Sequence, residues 1–90
     1  MQYENEKTLL IVKKFGEVVR AKRNALKKSQ TVLSYEYDLD SGNLSRIETG
    51  QITPKLTMLW RIAEALDMKL SDLIKAVEKE LGDDFYIGDK

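Results

Sequence analysis

The sequence predicts an all-α fold, a compact bundle of five helices, on three observations. Apolar residues recur at intervals of three and four almost throughout, and no clean period-two segment appears before the last eight residues. Glycine and proline are scarce, five and one in 90 residues, and most stand where one apolar stripe ends and the next begins. The chain is long enough to bury one modest core and too short for two.

The first helix is expected from about Lys7 to Leu26. Its stripe is Ile11, Phe15, Val18 or Val19, Lys22 and Leu26, with Val12 beside it. Lys22 fits such a face only by extending its ammonium group to water. Ser29 suits the N-cap of a short second helix, Gln30 to about Tyr37, with Val32, Leu33 and Tyr37 facing inward. The break Asp38-Leu39-Asp40 follows. Aspartate tolerates a left-handed backbone at position 38, Leu39 belongs between the flanking helices, and Asp40 is a second cap whose charge suits a helix N-terminus. The third helix is then Ser41 to Thr49, with Leu44 and Ile47 inward and Gly50 just past its end. Pro54 is expected to open a fourth helix with an apolar face of Leu56, Leu59, Ile62, Ala63 and Leu66. Ser71 is expected to cap a fifth, carrying Leu73, Ile74, Val77 and Leu81 and stopped by Gly82. Residues 1–82 thus read as one domain with an N-terminally extended first helix. Residues 83–90 are an acidic, aromatic tail whose Phe85-Tyr86-Ile87 is either a short C-terminal strand or irregular.

Composition narrows the function. A chain 42% hydrophobic and 33% charged is a globular balance, and its longest apolar run, Leu9 to Val12, cannot span a bilayer. The start MQYENEKTLL lacks the features of a secretory signal, so a cytoplasmic location is expected. There is no cysteine and no histidine, which removes the thiol nucleophile, the usual general base and the common zinc ligands. An enzyme is therefore the least favoured class, with no catalytic residue, metal or cofactor to nominate. Asp38 and Asp40 have simpler work in a turn and a cap. No small-molecule effector site is evident. The net charge is zero, which taken alone argues weakly against nucleic acid. Its distribution is uneven: seven basic residues and one acid lie between Lys13 and Lys28, whereas Glu78, Glu80, Asp83, Asp84 and Asp89 crowd the end.

Two short helices joined by a tight turn, the second opening with small polar residues, form the arrangement that sets a helix into the DNA major groove. The first crosses the phosphates; the second turns one face to the bases while Leu44 and Ile47 hold the other to the core. Ser41 and Gly42 leave room for close approach.

The segment SQTVLSYEYDLDSGNLSRIETG resembles the helix-turn-helix of lambda-repressor-like, Xre/Cro-type transcriptional regulators. PKLTMLWRIAEALDMKLSDLI is similar to that family's fourth and fifth helices in register and residue type, so the resemblance covers Phe15 to Ile74. It implies double-stranded DNA as partner and base reading by Ser41, Gly42, Asn43 and Arg46. Arg46 is suited to a guanine and Asn43 to an adenine. Asn43 has a competing role as partner of the Asp40 cap, and Arg46 one as half of a surface ion pair. Gln30, Ser45, Gln51 and Lys55 are implied near phosphates, and Lys28 adds a charge there. Arg23 and Glu48 are implied to form a structural ion pair between the first and third helices. The sequence departs from the family at Asp38 and at Lys27-Lys28, where glycine is usual in the turn and glycine-apolar before the motif. Lys22 stands where leucine is frequent.

One recognition helix reads only a few base pairs, so such proteins usually act as two-fold dimers on half-sites roughly 34 Å apart. Met58, Trp60, Ile74, Val77, Leu81 and Phe85 supply apolar surface for a homodimer interface; the alternative is that they complete a monomer core. The leading expectation is a dimeric repressor or autoregulator reading a palindromic operator. The competing one is an antitoxin or adaptor that keeps the fold and binds a protein partner such as a toxin.

Overall fold

A computed structural model describes residues 6–88 of the protein. Five helices follow in order: α1 Glu6–Ala25, α2 Gln30–Glu36, α3 Ser41–Glu48, α4 Leu56–Ala65 and α5 Leu70–Leu81. α1 lies along α3 and α5, α2 packs on α3, and α4 on α5. Their inward faces meet in one core built on Phe15, Val18, Val19, Leu33, Leu39, Leu44, Ile47, Ile62, Ala63, Leu66, Leu73 and Val77. Leu39, the apolar residue of the turn, is buried there as its position predicts. Among the described residues no helix is long and apolar enough to cross a membrane.

Two of the three expected side-chain caps form. Ser29 Oγ accepts from the Val32 amide at 3.1 Å, and Asp40 Oδ1 from the Asn43 amide at 3.0 Å. Four helices leave by one hydrogen-bonding pattern, in which the amide two residues beyond the cap turns back to a carbonyl of the last turn. The bonds are Lys28 to Arg23 (3.4 Å), Leu39 to Ser34 (2.8 Å), Gln51 to Arg46 (2.8 Å) and Met68 to Ala63 (2.9 Å). The pivot residues, Lys27, Asp38, Gly50 and Asp67, have φ of 58°, 55°, 76° and 58°. Glycine occupies one of these four left-handed positions; lysine and aspartate bear the steric cost at the others.

Several boundaries and faces differ from expectation. α4 starts at Leu56 and not at Pro54, and α5 at Leu70 with Lys69, not Ser71, as its cap residue. Neither lysine caps through its side chain. Pro54 lines a surface cleft with Leu59, one turn into α4, and Met68 packs on the core that contains Leu73. Val32 is 45% exposed and Leu56 62% exposed, because each occupies the outer side of a first helical turn. In α1 the position next to Lys22 turns inward: Arg23 is buried, and Lys22 and Leu26 are exposed. Residues 83–88 hold a turn and a bend, with no strand among the described residues. The first five residues of the expected domain, and Asp89 and Lys90 of the tail, lie outside the described residues.

Two helices cross closely at Gly16 of α1. A Cβ there would collide with the Ile47 carbonyl oxygen and stand 2.6 Å from that of Glu48. Only glycine lets α1 press its backbone against the end of α3. A second close approach is at Gly50, where a Cβ would lie 2.7 Å from Lys13 Cγ.

Candidate nucleic-acid interface

α3 divides cleanly into two faces. Leu44, Ile47 and Glu48 are buried, whereas Ser41, Gly42 and Arg46 are exposed and Asn43 and Ser45 half-exposed. The exposed set is the one the sequence assigns to base reading, and it is gathered on one side of an eight-residue helix.

A buried polar cluster fixes that helix. Arg23 of α1 donates through Nε to Glu48 Oε2 at 2.7 Å and through Nη2 to Oε1 at 2.9 Å, the two-pronged geometry in which guanidinium binds carboxylate best. Its Nη1 reaches the Lys28 carbonyl at 2.8 Å, and Gln30 Nε2 donates to Glu48 Oε1 at 2.9 Å. One carboxylate therefore ties together α1, α2 and α3. The hydrogen bond to Glu48 holds the Arg23 pKa above its ordinary value against the opposing effect of burial. Gln30 is thus engaged with the recognition helix and remains half-exposed beside it.

Of the other residues expected at phosphates, Ser45 and Lys28 are half-exposed. Lys55 and Gln51 are exposed, and Lys55 shares the rim of a shallow depression with Asn43, Thr57 and Met58 at the start of α4. Gln51 Nε2 donates to Thr49 Oγ1 at 2.9 Å. Lys28 Nζ lies 2.6 Å from Glu36 Oε1, and this hydrogen bond raises the lysine pKa. The pair is at the surface, where its net worth is small. Arg46 Nη1 donates to Asn43 Oδ1 at 2.9 Å. Among the described residues no carboxylate stands within ion-pair distance of Arg46, and its charge stays available.

Two contributors escape a reading of the sequence. Gly16 sets the distance between α1 and α3; its signal is a glycine inside a run of good helix formers, where it costs about 1 kcal/mol without a packing reason. Arg61 of α4 reaches the motif's turn, donating to the Asp38 carbonyl at 3.1 Å with its carboxylate 3.5 Å away. No sequence pattern marks that pairing. Among the expected interface residues, Val77 is 4% exposed and belongs to the protomer's own core, which corrects its assignment to a dimer surface. Leu81 and Phe85 are half-buried against the cleft beside α1, whereas Trp60 is 56% exposed.

A short helix locked by its C-terminal glutamate, with small and basic residues presented outward, defines a helix-turn-helix DNA-binding regulator. The family model for the helix-turn-helix matches residues 19–73, and the chain belongs to this lambda-repressor-like, Xre-type family. Its fold is similar to the high-resolution crystal structure of the restriction-modification controller protein C.AhdI from Aeromonas hydrophila. The two share 32% sequence identity over 69% of this chain and 94% of that one, with a TM-score of 0.66. No curated protein sequence matches the chain.

Proposed function

We propose that the protein is a homodimeric transcriptional regulator, a repressor or autoregulator, that reads a two-fold symmetric operator with one α3 in each half-site. The observation that carries this reading is the division of α3, with Arg46 and its small neighbours outward and Glu48 locked inward. The likeness to a restriction-modification controller protein, over nearly all of that chain, supports a regulator of the same kind.

The second copy has a surface to meet. Trp60, Met68, Leu70 and Ile74, with Glu64, Lys69 and Ser71 among them, line an open groove of about 730 Å³ between α4 and α5. An exposed tryptophan beside apolar side chains is the composition of an interface centre. In vitro selection of DNA by the full chain, followed by sedimentation of the protein with the selected duplex, tests the proposal. The expected result is a palindromic consensus carrying two protomers. A single unrepeated half-site bound by one protomer refutes the dimer, and the absence of any enriched sequence refutes sequence reading.

A further inference from the structure

Gly42, Asn43 and Arg46 are expected individually as base readers, but their geometry couples them. Arg46 Nη1 donates to Asn43 Oδ1 at 2.9 Å, one helical turn back toward the N-terminus. The guanidinium lies over Gly42: a Cβ built there would stand 3.6 Å from Nη1 and 3.9 Å from Nη2. The Asn43 backbone is itself anchored, since its main-chain N–H donates to Asp40 Oδ1 at 3.0 Å. The order Asp40, Gly42, Asn43, Arg46 is therefore a cap, a vacant seat, a clasp and the charge that is clasped.

Resting on the DNA-reading function proposed above, we infer that Asn43 is a positioning residue for Arg46, and that the pair specifies one guanine per half-site. A guanidinium only donates, so the Asn43 amide must offer it the oxygen. An amide that reads adenine presents its oxygen and its NH2 together to a single base edge. Here Arg46 takes one of that oxygen's two lone pairs, so any base contact Asn43 makes is tied to the placement of Arg46. The clasp occupies Nη1 and leaves the Nε–Nη2 edge, the fork that meets guanine O6 and N7. An arginine left free would lose rotamer freedom on binding; one already held loses less. At Gly42 a Cβ would stand in ordinary contact with the guanidinium and tighter, at 3.1 Å, against Asp40 Oδ1, so glycine leaves both groups their room.

The test is a double-mutant cycle on base discrimination, by anisotropy titration of the selected duplex and of duplexes substituted at each base pair in turn. Arg46→Ala is expected to reduce discrimination at one G·C pair by on the order of 5- to 150-fold. Asn43→Ala should weaken discrimination at that same pair by roughly 2- to 12-fold, the worth of one hydrogen bond, and leave the other pairs unchanged. The double variant should then discriminate no less well than Arg46→Ala alone. Far-UV circular dichroism checks that each variant is folded. Relaxation at a different base pair by Asn43→Ala, or additive losses in the double variant, overturns the inference and leaves the DNA-reading function standing. If selection enriches no sequence, both fall together.

Discussion

Replacing Gly16 by alanine sets two physical effects against each other. Helix propensity favours the change, since alanine in a helix interior is better than glycine by about 0.8–1.0 kcal/mol. The crossing with α3 opposes it. The new Cβ would collide with the Ile47 carbonyl oxygen and stand 2.6 Å from that of Glu48, and both neighbours are backbone at the end of a packed helix. Reaching ordinary contact, about 3.4 Å, requires about 0.8 Å of separation at the Glu48 oxygen and more at the closer Ile47 oxygen. That would strain the Arg23–Glu48 pair across the same gap. Overpacking costs about 1–3 kcal/mol, and a clash between two backbones belongs at or beyond the upper end. The net expectation is a loss of about 2 kcal/mol, or roughly 8–16 °C in Tm for a domain of this size. Urea denaturation followed by circular dichroism measures it, with an unchanged m value as the sign that the denatured state is unaffected. A variant as stable as the parent, or more so, refutes the close-crossing argument.

Other expectations follow from the same structure. Glu48→Ala leaves Arg23 buried without its carboxylate and Gln30 without its acceptor, and should cost about 3–5 kcal/mol in chemical denaturation. The apolar double replacement Arg23→Met/Glu48→Leu should recover much of that loss; a double variant less stable than the single one contradicts the account. Lys27→Gly relieves the left-handed strain at the end of α1 and should raise stability by about 0.5–1 kcal/mol, read from the urea midpoint. Trp60→Ser should leave the fold intact and weaken self-association by on the order of 30-fold in sedimentation equilibrium, as removal of a central interface tryptophan does.

The parts of the fold legible in the sequence were those written in local chemistry. Ser29 and Asp40 announce their caps as short polar side chains before an apolar run, a sign that misleads at Ser71, which lies inside α5. Leu44 and Ile47 announce the buried face of α3 through their spacing. The turn at Asp38 was readable because aspartate is among the few residues that accept a left-handed backbone, whereas Lys27 gives no such sign. Lysine turns the chain there because Arg23, bonded to both Glu48 and the Lys28 carbonyl, holds the end of α1 in place. The starts of α4 and α5 were obscured because lysine stands at each cap position and makes no side-chain cap bond, so no short polar residue marks the boundary. In the candidate site the outward residues were legible one by one. The clasp between Asn43 and Arg46 was not, since their spacing equally allows two independent base contacts.

The central claim, that the outward face of α3 reads DNA, is tested most directly by one titration. The full chain is measured against its selected duplex and against a scrambled duplex of equal length, across a range of salt concentrations. The account predicts tighter binding to the selected site by at least about 1,000-fold, with both affinities falling steeply as salt rises. Equal affinity for the two duplexes at every salt concentration would contradict it.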